Sequence, residues 1–148
     1  MCGIVGYAGK HQAAPLLLEG LSRLEYRGYD SAGICVHGAR QMQVAKAKGR
    51  LKVLCEKTDD GALVPGTVGI GHTRWATHGA PSDANSHPHL SDSGSVAVVH
   101  NGIIENEAKL RRWLLDRGVR FHSETDTEVV ANLVQLSGEV LTCTLHQL

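Results

Sequence analysis

Cys2–Tyr7 reads CGIVGY. A short apolar run broken by glycines predicts a buried strand. Leu17, Leu21 and Leu24 then recur at i, i+4 and i+7, which predicts an amphipathic helix over Pro15–Glu25 with Pro15 in its first turn. A polar, glycine-bearing loop follows at Tyr26–Ser31 (YRGYDS). Ala32–Val36 and Gln41–Ala47 read as strands around a turn at His37–Arg40, and Leu51–Lys57 as a short helix. Thr67–Thr73 and Val96–His100 read as two further strands. Between them, Arg74–Ser95 is rich in Gly, Pro, Ser, Asn, Asp and His and has no apolar period, the mark of a functional loop. Ile104–Arg117 is expected to be helical, with Leu110, Leu114 and Arg117 on one face. Thr125-Asp126-Thr127-Glu128 has the form of a capping box ahead of a second stripe, Val129, Val130, Leu133 and Val134.

The composition fits this outline. A chain of 148 residues suits one domain, and 42% hydrophobic with 20% charged residues argues against disorder. Seventeen glycines and only 4% aromatics favour a strand-and-loop scaffold over a helix bundle. Fifteen basic residues balance fifteen acidic ones, so no general electrostatic attraction to nucleic acid or to an anionic membrane is expected. The cysteines at 2, 35, 55 and 143 form no Cys-x-x-Cys and no zinc-finger spacing. A chain of this length does not need disulfides, so a reducing, cytoplasmic compartment is expected. No apolar run approaches the ~18 residues of a membrane span, and the N-terminus has the features of neither a signal peptide nor a myristoylation site.

Four features carry possible chemistry, each with an ordinary reading beside it. Removal of Met1 would leave Cys2 with both a thiol and a free α-amine. That amine, with a reference pKa of ~7.7–8.0, can accept the thiol's proton. Otherwise Cys2 is a small buried apolar residue. Asn101-Gly102 is either a hairpin turn or a pair of oxyanion donors, the Asn101 amide and the Gly102 N–H. Arg74 offers a fork for a carboxylate and Asp126 an anchor for an ammonium group. The alternatives are a surface ion pair for Arg74 and a helix-start acid for Asp126. Nine histidines raise a metal site, with His72 and His78 six apart and His87 and His89 two apart. There is no His-Glu-x-x-His, and no acidic residue completes a recognisable set, so neither a metal nor another cofactor is expected. Gly-x-Ser-x-Gly, phosphate-loop and Gly-x-Gly-x-x-Gly patterns are absent.

Taken together the motifs resemble the class II glutamine amidotransferases, in which an N-terminal Cys hydrolyses glutamine and releases ammonia. The Cys-Gly-Ile-Val-Gly start is common to that family. Arg23–Ile34 (RLEYRGYDSAGI), Gly71–Gly79 (GHTRWATHG), Asn85–His89 (NSHPH), Val99–Asn106 (VHNGIIEN) and Ser123–Val130 (SETDTEVV) are similar to the glutaminase half of the branch that aminates fructose 6-phosphate in amino-sugar synthesis. The resemblance covers about residues 1–135. It implies that Cys2 is the nucleophile with its α-amine as base, and that Asn101 and Gly102 form the oxyanion hole. It further implies that Arg74 and Thr77 hold the glutamine α-carboxylate and Asp126 the α-amine. Trp75, His78 and His87 would belong to the region that closes over glutamine, and Arg27 would lie beside the nucleophile.

The fold implied is α+β: the four-layer αββα sandwich of antiparallel sheets of N-terminal-nucleophile proteins, here only its first part. After Gln135 the sequence LSGEVLTCTLHQL stops resembling the family. The expectation is therefore one glutaminase domain over 1–148, incomplete at its C-terminus, without the sugar-isomerase domain. Its partner would be L-glutamine, with fructose 6-phosphate reached only through that further domain and full-length relatives forming homo-oligomers. Two alternatives stay open: an inactive fragment or pseudo-enzyme that at most binds glutamine, and a metal-dependent hydrolase built on the histidines.

Overall fold

The computed structural model describes residues 2–28, 30–75 and 80–138. Its larger sheet has four strands in the order β1-β4-β2-β3, every neighbouring pair antiparallel. These are β1 (Gly3–Ala8), β2 (Ser31–His37), β3 (Met42–Lys48) and β4 (Val68–Arg74). Helices α1 (Ala13–Leu24) and α2 (Leu51–Thr58) cover one face. A two-stranded ribbon, β5 (His89–Leu90) and β6 (Ala97–Val98), lies toward the other. Helix α3 spans Glu107–Leu115 and α4 spans Thr127–Ser137. Of these, α4 packs against the ribbon and α3 against α4. Helix, sheet, sheet, helix is the layering expected of the αββα sandwich.

The helices form where apolar side chains recur. Leu17 and Leu21 of α1 are fully buried, and they meet Ile34 and Val36 of β2 in the principal core. A smaller cluster joins Leu114 of α3, Val119 and Val129 of α4. Strand pleating then divides the sheet's residues between its two faces. Val5, Ile34 and Val36 face the helices. Ile4, His72, Gly33 and Lys46, which pair across the strands, turn the other way.

Several expectations change. The first strand is not buried: as the sheet's edge it alternates, and Ile4 is 44% exposed. The strand expected over Val96–His100 pairs only through Ala97 and Val98. The expected helix over Ile104–Arg117 is shorter, Glu107–Leu115. Arg74–Ser95 is not without structure. It contains β5, and Asn85, Ser86, His87, His89 and Ser91 are all buried. The capping box does not close on itself. Glu128 does reach back, but its carboxylate accepts the backbone N–H groups of His122 and Ser123, both at 2.7 Å. The Thr125 hydroxyl is bound instead to His89 Nε2, at 2.8 Å.

Candidate active site

The register of β1 and β4 brings the first two candidates together. Gly3 pairs with Thr73, so Cys2 and Arg74 come opposite one another one step further along. Both lie on the sheet face turned away from α1, the face that also carries His72. Cys2 is half-buried rather than a core residue, and its Sγ accepts the backbone N–H of Trp75 at 3.1 Å. The sulfur stands in a cleft of about 240 Å³. Cys2, His72, Arg74, Trp75, His87 and Asp126 contribute to its walls.

Asn101 and Gly102 are no hairpin turn, since β6 ends at Val98. The Asn101 side chain is tied at both ends. Its Oδ1 lies 2.8 Å from His72 Nε2, and its Nδ2 donates to the Cys2 carbonyl at 3.4 Å. Gly102 lines the cleft with φ +148°, and a Cβ there would stand 2.9 Å from the His100 ring. Only glycine suits that backbone and that space. The Asn101 amide thus reaches the Cys2 backbone, and Gly102 shares the cleft with Cys2.

Arg74 is not in a surface ion pair: it is 3% exposed, with Asp30 Oδ1 at 4.0 Å from its guanidinium. Asp126, 4% exposed, sits at the N-cap of α4 without capping it by its side chain. Its Oδ2 instead accepts the Ile104 N–H at 2.7 Å, which holds the loop after Gly102 against the helix start. The cleft therefore carries a buried cation and a buried anion in its walls, a pattern suited to a zwitterion.

Behind the cleft run three buried imidazoles. His72 and His87 stack at 4.3 Å between centroids, and His89 meets His87 edge-on at 4.6 Å. Burial holds all three well below the usual histidine range: His72 is lowered to about 4, His89 to about 2, and His87 still further. The three rings are neutral at pH 7. Burial likewise lowers Lys46, beyond His89, to about 8. The rings pack on one another instead of converging, and among the described residues no three His, Cys, Asp or Glu form a group that could hold a metal ion.

Trp75 follows β4 directly, with its ring against Gly28. Arg27 closes the short turn Glu25–Arg27, and its side chain lies outside the described structure. Thr77 and His78 lie outside the described residues. His72, His100, Ile103, Thr125 and Thr127 also line the cleft without having been expected there. Strand alternation was the available signal for His72, since it sits two residues before Arg74 and so shares its face.

The family model of the glutamine amidotransferase domain matches residues 57–147, past the Gln135 at which the resemblance was expected to stop. The glutamine–fructose-6-phosphate aminotransferase (isomerizing) of Caldanaerobacter subterraneus subsp. tengcongensis is 65% identical over 135 residues, which is 91% of this chain and 22% of the relative. An enzyme of the same name from Thermus thermophilus is 56% identical over 135 residues, with the same coverage of each. The chain thus spans about a fifth of the length of the curated relatives it matches. Among solved structures, the glutamine phosphoribosylpyrophosphate amidotransferase of B. subtilis, complexed with ADP and GMP, superposes with a TM-score of 0.75 at 31% identity, covering 94% of this chain and 30% of that one. A structure described as the allosteric regulatory enzyme of purine biosynthesis gives 0.78 at 32% identity, with the same coverage. Sequence match, layered fold and cleft agree, and the chain belongs to the glutamine amidotransferase family.

Proposed function

We propose that this chain hydrolyses glutamine, and that the ammonia it releases serves an aminotransferase acting on fructose 6-phosphate. The observation that carries the proposal is the meeting, in one cleft, of Cys2, Gly102 and the buried Arg74 and Asp126, with the Asn101 amide bound to the Cys2 carbonyl. The choice of acceptor rests on the similarity to aminotransferases that carry that name.

In this reading Arg74, with Thr77, holds the glutamine α-carboxylate and Asp126 the α-ammonium, which sets the side-chain amide beside the thiol. With Met1 removed, the Cys2 α-amine takes the thiol proton as Sγ attacks the amide carbon. The carbonyl π pair moves onto oxygen, where the Asn101 amide and the Gly102 N–H stabilise it. The same amine returns its proton to the nitrogen. The C–N bond breaks, ammonia leaves, and a thioester remains on Cys2. Water adds to the thioester and releases glutamate and the thiol. Trp75 and His87, which line the cleft, exclude other water during these steps, a part the family resemblance also implies for His78, with Arg27 implied beside the nucleophile.

The test is ammonia release from glutamine by the purified chain and by Cys2→Ala. Release should depend entirely on Cys2, while glutamine affinity in the variant stays within a factor of about three, since no binding group is lost. An uncleavable N-terminal extension, which turns the amine into an amide, should be as damaging as losing the thiol. Undiminished turnover in either form would refute the mechanism.

A further inference from the structure

We infer that His72 is a positioning residue for this reaction: its ring Nε2–H fixes the Asn101 side chain with the amide NH₂, not the oxygen, turned toward the nucleophile. This rests on the glutaminase reading above and assigns a part to a residue that reading leaves without one.

An asparagine amide has two nearly isosteric ends, and a half-turn exchanges a donor for an acceptor. At an oxyanion hole the two ends have opposite effects. The NH₂ stabilises developing negative charge, and the carbonyl oxygen repels it. Something must hold the amide one way round: the Cys2 carbonyl accepts from one end at 3.4 Å, and His72 takes the other at the shorter distance. Its Nε2 lies 2.8 Å from Asn101 Oδ1, while Asn101 Nδ2 points to the Cys2 carbonyl. Asn101 itself is exposed, so packing does not fix it. His72, by contrast, is 1% exposed and pinned by its stack on His87. Its Nδ1 is buried and makes no hydrogen bond of normal geometry among the described residues, although the His100 backbone acts on the ring, so the ring's single proton belongs on Nε2. Burial also keeps the ring neutral down to about pH 4, against the opposing pull of the Asn101 bond and the His100 backbone. The donor is therefore the same throughout the physiological range.

Two measurements on the whole chain test this. Nitrogen-15 NMR of labelled histidine reads the tautomer directly and needs no turnover. His72 should show a protonated Nε2 and a bare Nδ1 at pH 7. An Nδ1–H tautomer would turn Asn101 round and overturn the inference. Steady-state kinetics supply the second. His72→Leu should lower kcat by ~10²-fold, the usual loss of one oxyanion donor, with KM changed less than about twofold. His72→Gln, which keeps an N–H at nearly the same reach, should recover kcat to within about fivefold of the unsubstituted chain. In an Asn101→Ala background, His72→Leu should cost less than about twofold, because the group it orients is gone. Additive losses, or failure of His72→Gln to recover activity that His72→Leu loses, would make His72 merely structural. If the unsubstituted chain releases no ammonia, the glutaminase reading fails, and the tautomer still decides the role of His72.

Discussion

Arg74 and Lys would carry the same charge, yet they are not equivalent in this cleft. A guanidinium offers a planar fork to a carboxylate, whereas an ammonium offers a point charge. Arg74 is held at the end of β4 with almost no exposure, so a shorter, differently shaped cation cannot swing in to compensate. Arg74→Lys should raise the KM for glutamine by about tenfold or more, the loss expected for one hydrogen bond to a charged group. Initial rates over a range of glutamine concentrations check this, and unchanged kinetics would remove Arg74 from the carboxylate site. At this scale the sequence was informative. The types at Cys2, Arg74, Asn101, Gly102 and Asp126 suggested their chemistry, although each had an ordinary reading as well. The strand register and the burial add what the types alone lack: Cys2 and Arg74 come opposite one another, and Arg74 and Asp126 are buried.

At the scale of elements, the close approach of β2 to the segment ahead of β5 matters most. A Cβ at Gly33 would lie 2.1 Å from the His87 carbonyl oxygen, so backbone meets backbone with no flexible side chain to give way. Gly33→Ala should cost ~1–3 kcal/mol or more as an overpacked contact. For a chain of this size that lowers the Tm by about 2–4 °C per kcal/mol. A thermal melt that does not move would mean that the two layers separate without penalty. The layer joined at this point was the least legible part of the fold. Periodicity finds elements that bury apolar side chains, as α1 does with Leu17 and Leu21. The 85–91 segment buries polar ones instead, and holds them by hydrogen bonds to distant residues. Asn85 Oδ1 accepts the Glu124 N–H at 2.9 Å, and His89 Nε2 lies 2.8 Å from the Thr125 hydroxyl. Nothing in a hydropathy pattern registers such a segment as interior. Glu128 escaped similarly, because its backbone partners at His122 and Ser123 lie outside the four-residue capping motif.

For the molecule as a whole, the stacked histidines couple stability to acidity. In the unfolded chain each would titrate near ~6.5. In the folded chain burial lowers His72 to about 4 and His89 to about 2, with His87 lower still. Below pH ~6.5 the unfolded state therefore binds protons that the folded state refuses. The stabilisation is complete above that pH and drains away as pH falls toward the folded values. Three such groups would together forfeit on the order of 6 kcal/mol between pH 7 and pH 5, against a typical total of ~5–15 kcal/mol. Denaturant titrations should give a much lower midpoint at pH 5 than at pH 7. A midpoint independent of pH across that interval would show that the three rings accept protons without loosening the fold.

The tryptophans give the cleft an optical reporter of its own. The chain has two, and they sit in contrasting surroundings. Trp75 stands in the cleft wall with its backbone N–H on the Cys2 sulfur, and Trp113 lies on α3 with the Arg117 guanidinium 3.6 Å from its ring centroid. Trp113 is exposed and does not line the cleft, so Trp113→Phe should be tolerated and leave a single emitter. Its fluorescence should then rise or shift when glutamine is titrated into the Cys2→Ala protein, where no chemistry follows. A spectrum indifferent to glutamine would mean that the ligand settles without altering the surroundings of Trp75.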